Sequence, residues 1–227
     1  MTRRSLLAGT ALVLCAAPAL PGQSRTTLSV IPIGGVTIPS GTFVEATDFK
    51  LTPRYGVFVG AVAELSMNKS LSLFGQATRT LGGTQKLEAE FPSCASCDKL
   101  SSDMATTQVA GGIILRPLGR TPSGAPKSIY IEAGGGFSLY SVSRGFQDPN
   151  DPQELDFNGS SPFVMGGIGL SFPAGPRFSV QFAGRVQYHL SEYSSDGLDQ
   201  INTIFGTTTA GDKPLMLQFS VGLRIGR

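Results

Sequence analysis

Tryptophan is absent from the 227 residues, histidine occurs once, and charged residues make up only 15% of the chain. The formal net charge is +2. No basic run marks a nucleic-acid surface. After residue 24 no apolar stretch is long enough to cross a bilayer as a helix, and no convincing amphipathic helix is found. Cysteine is scarce, at three residues: Cys15, Cys94 and Cys97. One histidine and one CxxC do not complete a zinc ligand set. No residue is assigned a catalytic, cofactor-binding or metal-binding role.

What is abundant is glycine, at 29 residues, which opposes helix. The N-terminus reads as a targeting segment. Arg3 and Arg4 precede an apolar run from Ser5 to Ala17, too short to span and closed by Pro18 and Pro21. Residues 1–23 are therefore assigned as a signal peptide, with cleavage between Ala19 and Gln23. Thr-Arg-Arg-Ser-Leu-Leu also has the look of a twin-arginine signal. Cys15 follows Leu14, too large for the usual lipoprotein signal, and leaves with the leader. Residues 24–227 form one domain. Export places Cys94 and Cys97 where disulfides are permitted.

The domain alternates. In Arg177–Leu190, RFSVQFAGRVQYHL, every second residue is apolar or small and the intervening ones are mostly polar. Period two signals strands. Eight are predicted: Leu28–Ile38, Arg54–Ser66, one from Ser70 through Ala77, Gln108–Leu118, Ile129–Val142, Phe163–Phe172, Arg177–Leu190 and Leu215–Ile225. Short connections (67–69, 119–127, 173–176) alternate with long polar ones (39–53, 82–107, 143–162, 191–214). Such a series describes an all-β fold: an eight-stranded antiparallel up-and-down transmembrane β-barrel. Closure removes exposed edges. The long loops are expected outside the cell and the short turns in the periplasm.

A soluble barrel alternates as well, with its apolar set inward. Here the second set is Gly, Ser, Gln, Ala, Arg and Glu, which suits the narrow interior of eight strands. The Gly-x-Trp usual near the first strand of lipocalins is missing. The apolar set therefore faces lipid, with Tyr55, Phe172, Phe178 and Tyr188 near strand ends as girdle residues. Glu64, Arg116, Glu132, Arg185 and Arg224 then point into the lumen, with Gln181, Gln187 and His189. Buried charges require partners. Arg116 and Glu132, on strands joined by a short connection, are the expected pair, and the cluster is expected to plug the lumen.

Together with the leader and the strand pattern, the Arg-Val-Gln-Tyr-His of the seventh strand and the final Phe-Ser-Val-Gly-Leu-Arg-Ile-Gly-Arg carry a resemblance. Over the whole mature chain the sequence resembles small bacterial outer-membrane β-barrels of the OmpA/OmpX-like type. Ser220, Gly222 and Ile225 match that family's barrel-assembly signal, although Arg227 stands where an aromatic is usual. The resemblance implies a monomer in the bacterial outer membrane. Its partners would be outer-membrane lipid, lipopolysaccharide and, during biogenesis, the assembly machinery. It also implies a non-enzymatic role, structural or surface-interacting, through four long loops.

Four stretches carry possible chemistry. His189 and Ser191 form a His-x-Ser similar to that of outer-membrane lipid A deacylases, where His, Ser and an acid transfer an acyl group. An inward His189 argues against this, since such a site must meet lipid. A lipid-modifying enzyme and a small solute pore are the alternatives to a non-enzymatic barrel. Cys94-Ala95-Ser96-Cys97, at the tip of the longest loop, reads as a local disulfide. Gly134–Gly136 and Gly166–Gly169 lie inside strands, where glycine permits curvature or close approach. The acidic stretch 148–154 lacks the spacing of a calcium loop and reads as a solvated loop.

Overall fold

A computed structural model describes residues 27–42, 44–45, 50–90, 100–119, 129–143, 157–175, 178–191 and 213–225. The leader, Cys94 and Cys97, and the acidic stretch 148–154 lie outside the described residues. In chain order the strands are β1 (Thr27–Ser40), β2 (Val44–Glu45), β3 (Lys50–Pro53), β4 (Gly56–Ser66), β5 (Leu71–Thr80), β6 (Lys86–Glu90), β7 (Leu100–Leu115), β8 (Ile129–Ser143), β9 (Phe157–Pro173), β10 (Phe178–His189) and β11 (Leu215–Ile225).

Eight of these build the wall, in the cyclic order β1-β4-β5-β7-β8-β9-β10-β11, all neighbours antiparallel. The pairing of β1 with β11 closes the barrel. Alternation decides which side chains go where. On β11, Leu215, Phe219, Val221, Leu223 and Ile225 are 36–56% exposed, whereas Met216, Gln218, Ser220 and Arg224 are buried. The same phase holds around the wall: Val59, Leu73, Ile113, Ile131, Ile168 and Phe182 all face outward. An apolar surface this continuous is not found on soluble monomers. It is the surface a bilayer covers. Tyr55, Phe172, Phe178 and Tyr188 are among its exposed aromatics.

Some wall glycines sit where neighbouring strands approach too closely for a side chain. Gly112 and Gly134 are cross-strand partners on β7 and β8. A Cβ on Gly112 would overlap the carbonyl oxygen of Ala133, and one on Gly134 that of Gly111. The Gly134–Gly136 run is thus a packing requirement of closure.

Connections 39–53 and 82–107, expected to be loops, contain strands. β6 pairs with the outer part of β7, β3 pairs with β6, and β2 with β3. The result is a sheet that carries one side of the wall beyond the belt. β5 leads into β6 through a turn at residues 81–85, where Gly83 has φ +73° and Thr84 donates its N–H to Leu81 O at 3.2 Å. The extension buries Leu51 and Leu87 completely. Its other face carries Arg54 paired with Glu88 at 2.6 Å, and Lys86 paired with Asp103. β7 therefore begins at Leu100, not Gln108, and ends at Leu115. β9 likewise begins at Phe157, ahead of the expected Phe163.

Candidate functional site: a filled lumen

The residues that alternation sends inward meet in layers. At the short-turn end, Glu64 on β4 accepts from Arg116 Nη2 at 2.9 Å and from Arg224 Nη1 at 3.0 Å. Arg116 also donates to Ser72 Oγ at 3.0 Å, and Arg224 to Ser29 Oγ at 3.1 Å. The Arg116 guanidinium lies 5.7 Å from the centroid of the Tyr130 ring, within cation–π range. Glu132 forms the second ion pair, with Arg185. Arg185 Nε contacts Glu132 Oε1, Nη2 donates to Oε2 at 3.3 Å, and Nη1 donates to Ser220 Oγ at 2.7 Å. Exposure of these five charged side chains is 4% or less.

The expected Arg116–Glu132 pair does not form. Arg116 turns to Glu64, and Glu132 to Arg185. Each partner lies two strands away, not one. Glu132, Gly167 and Arg185 form one cross-strand row over β8, β9 and β10. A Cβ on Gly167 would stand 2.8 Å from Glu132 Oε1 and 3.0 Å from Arg185 Cγ, so glycine leaves the path open. Arg224 and Arg116 reach Glu64 differently: each also donates to a serine on the strand between, Ser29 on β1 and Ser72 on β5. Side chains in a narrow barrel reach inward and meet across an intervening strand.

Buried Ile31, Ile33, Val62, Phe74 and Ile114 fill space beside the ion pairs. What is left there is a cavity of about 10 Å³, room for about one water. Above it four glutamines bridge the lumen. Gln108 and Gln187 exchange amide hydrogen bonds at 2.8 and 3.1 Å. Gln218 donates to Gln108 at 3.3 Å, and Gln76 to Gln218 at 3.4 Å. Nearer the long loops, Phe58, Met104, Phe163, Met216 and His189 are all buried. The His189 and Phe163 rings are 5.6 Å apart.

All six residues singled out for the lumen thus point inward and are buried: Glu64, Arg116, Glu132, Arg185, Arg224 and His189. Ser191, two residues past His189, has its Oγ 3.1 Å from Ser161 Oγ. Gln76, Gln108 and Gln218 were not singled out. Their signal was present, since each occupies the inward phase of its strand, but an uncharged amide among serines and threonines does not stand out.

A closed antiparallel barrel with an apolar outer belt and a polar, filled interior is an outer-membrane β-barrel, and the outer membrane is its place. No protein-family model and no curated protein sequence matches the chain. Solved structures that share its fold include two outer-membrane proteins. The outer membrane protein OprG from Pseudomonas aeruginosa is 12% identical, with 88% of this chain and 96% of that one covered, at a TM-score of 0.54. Neisserial surface protein A is 13% identical, with 90% and 100% covered, at a TM-score of 0.52. At such identities the likeness is one of fold.

Proposed function

We propose that the chain is a non-enzymatic outer-membrane barrel of the small OmpA/OmpX-like type. It acts as a monomer, in a structural or surface-interacting role, through its extracellular connections. Its partners are outer-membrane lipid and lipopolysaccharide, and the assembly machinery during biogenesis. The observation that carries this reading is the obstructed lumen. Among the described residues, two ion-pair groups, a glutamine bridge and an apolar layer occupy the lumen, and the cavity beside the ion pairs has room for about one water. The described part of the lumen is obstructed to a solute, which favours the connections over the interior as the functional surface. An acyl-transfer role for His189 and Ser191 is disfavoured by direction: the His189 side chain is fully buried in the lumen, away from the lipid such an enzyme must reach.

The test is electrical. Refolded protein in a planar bilayer should give no steady channel, and the variant R185A/E132A should begin to leak. Large, stable unitary currents from the wild type would overturn the plug and favour a pore.

A further inference from the structure

One flank of the lipid-facing wall carries a cation. Arg79 stands on β5 in the outward phase of Leu71, Leu73 and Ala77, and it is exposed. Among the described residues no carboxylate pairs with it. A long cationic side chain at the margin of the belt can reach water on its own. What sets Arg79 apart is the track that leaves it. Arg79, Val59, Gly34, Val221, Phe182 and Leu170 are successive cross-strand partners over β5, β4, β1, β11, β10 and β9. The row descends through the belt. Arg79 is next to the last residue of β5 at the long-connection end, whereas Leu170 is close to Pro173 at the short-turn end of β9. In its lower half the row enters an apolar groove of about 580 Å³ on the outer wall, between Val36, Val221, Phe219, Phe182, Ile168 and Leu170. Two glycines keep the track low, Gly34 in the row and Gly184 in the groove. Packing requires neither. A Cβ on Gly34 would stand 3.7 Å from Phe58 O, and one on Gly184 3.5 Å from the Phe219 ring, both ordinary contact distances. Gly35 and Gly112 differ in this, because a Cβ there would overlap backbone.

We propose that Arg79 and this groove form a seat for one lipopolysaccharide molecule, with a lipid A phosphate on Arg79 and an acyl chain laid along the row into the groove. The inference rests on the proposed orientation, with the long connections outside the cell, and is independent of whether the lumen is closed. The chemistry is complementary at both ends. A guanidinium matches a phosphate in charge and in bidentate geometry. The groove offers almost nothing but apolar atoms, so it accepts methylenes and no head group. The dimensions agree as well. Arg79 to Phe182 is four strand steps, roughly 19 Å at about 4.8 Å a step. With strands tilted by about 35–45°, that path descends about 11–13 Å. The hydrocarbon half of one leaflet is about 15 Å deep, so a chain anchored by its phosphate at the margin reaches the groove without leaving its leaflet.

The experiment refolds the full mature chain in detergent micelles and titrates it with lipopolysaccharide, with its dephosphorylated form, or with phosphatidylglycerol. Binding is read from the mobility of the folded band on unheated gels. The wild type should bind lipopolysaccharide with saturation, and the dephosphorylated form roughly tenfold more weakly, the scale of one charge-assisted contact. R79Q should lose the same factor, and only for the phosphorylated form. G184L fills the groove and should weaken both forms, whereas L73A, on β5 outside the row, should bind as the wild type does. Equal binding of the two forms would overturn the seat, as would wild-type affinity in G184L, which would leave Arg79 a cation reaching for water. Equal or tighter binding of phosphatidylglycerol would overturn lipopolysaccharide as the occupant. If R79Q fails to fold, the dephosphorylated form decides in its place; if G184L fails, G34V blocks the track instead. The plug is tested by conductance and the seat by this titration, so each can fail alone.

Discussion

At the scale of single residues, the lumen depends on two buried carboxylates, Glu64 and Glu132. Glu64 is bonded to two arginines, Glu132 to one. Removing one member of a buried pair strands a charge, at about 3–5 kcal/mol where the site is dry. Glu64→Gln leaves two guanidinium groups facing each other, so it should lower the urea midpoint more than Glu132→Gln. With no tryptophan to report, the folded fraction is read from band mobility on unheated gels. Equal midpoints for the two variants would show that water already screens the Glu64 layer. The sequence made the members of this site legible, because inward phase and charge are both readable from alternation. It did not make the pairing legible. Adjacent strands suggest Arg116–Glu132, but Gly167 leaves the path open between Glu132 and Arg185, and Ser29 and Ser72 accept from the arginines that reach Glu64. That relation depends on cross-strand register, which no single strand's sequence carries.

At the scale of elements, strands that face lipid were readable and those that face water were not. β11 shows its full amplitude, large apolar residues out and polar ones in, and its bounds were legible to the residue. β6, Lys-Leu-Glu-Ala-Glu, has only Leu87 and Ala89 on one phase and charges on the other, because its outer face meets water. A five-residue strand of that kind looks like a polar loop. β3 hides in the same way around Leu51. The extension should behave as a separate unit of stability. Leu87→Ala removes a fully buried side chain, at about 2–5 kcal/mol. That loss should be confined to the outer sheet. Protease added to intact cells should cut the variant faster near residues 86–103, while the boiled and unboiled bands stay as far apart as in the wild type. Loss of the unboiled folded band would mean that the extension is needed for closure of the wall.

At the scale of the whole molecule, closure governs persistence. Every wall strand has two partners, so opening requires the loss of an entire ladder, and unfolding should be slow enough to define stability as a rate. Unheated protein in dodecyl sulfate should therefore migrate apart from boiled protein. The ladders are unequal. β1 and β11 pair over eight residues, Ile33–Ser40 with Leu215–Gly222, whereas β8 and β9 pair over fourteen. Within its eight, β1 includes Pro39, which has no N–H to give, and Gly35, where a side chain would overlap Phe219 O. The join between first and last strands is thus the weakest line in the wall. A crosslink there should slow opening, and a crosslink in the longest ladder should not. In a C94S/C97S background, V36C/F219C bridges outward-facing partners of β1 and β11, and L139C/S160C bridges partners of β8 and β9. After oxidation, the folded band of the first variant should outlast the wild type at elevated temperature in detergent, and that of the second should decay at the wild-type rate. Reduction should erase the difference. Equal protection by both crosslinks would mean that the barrel opens everywhere at once, and that its first ladder to fail is not β1–β11.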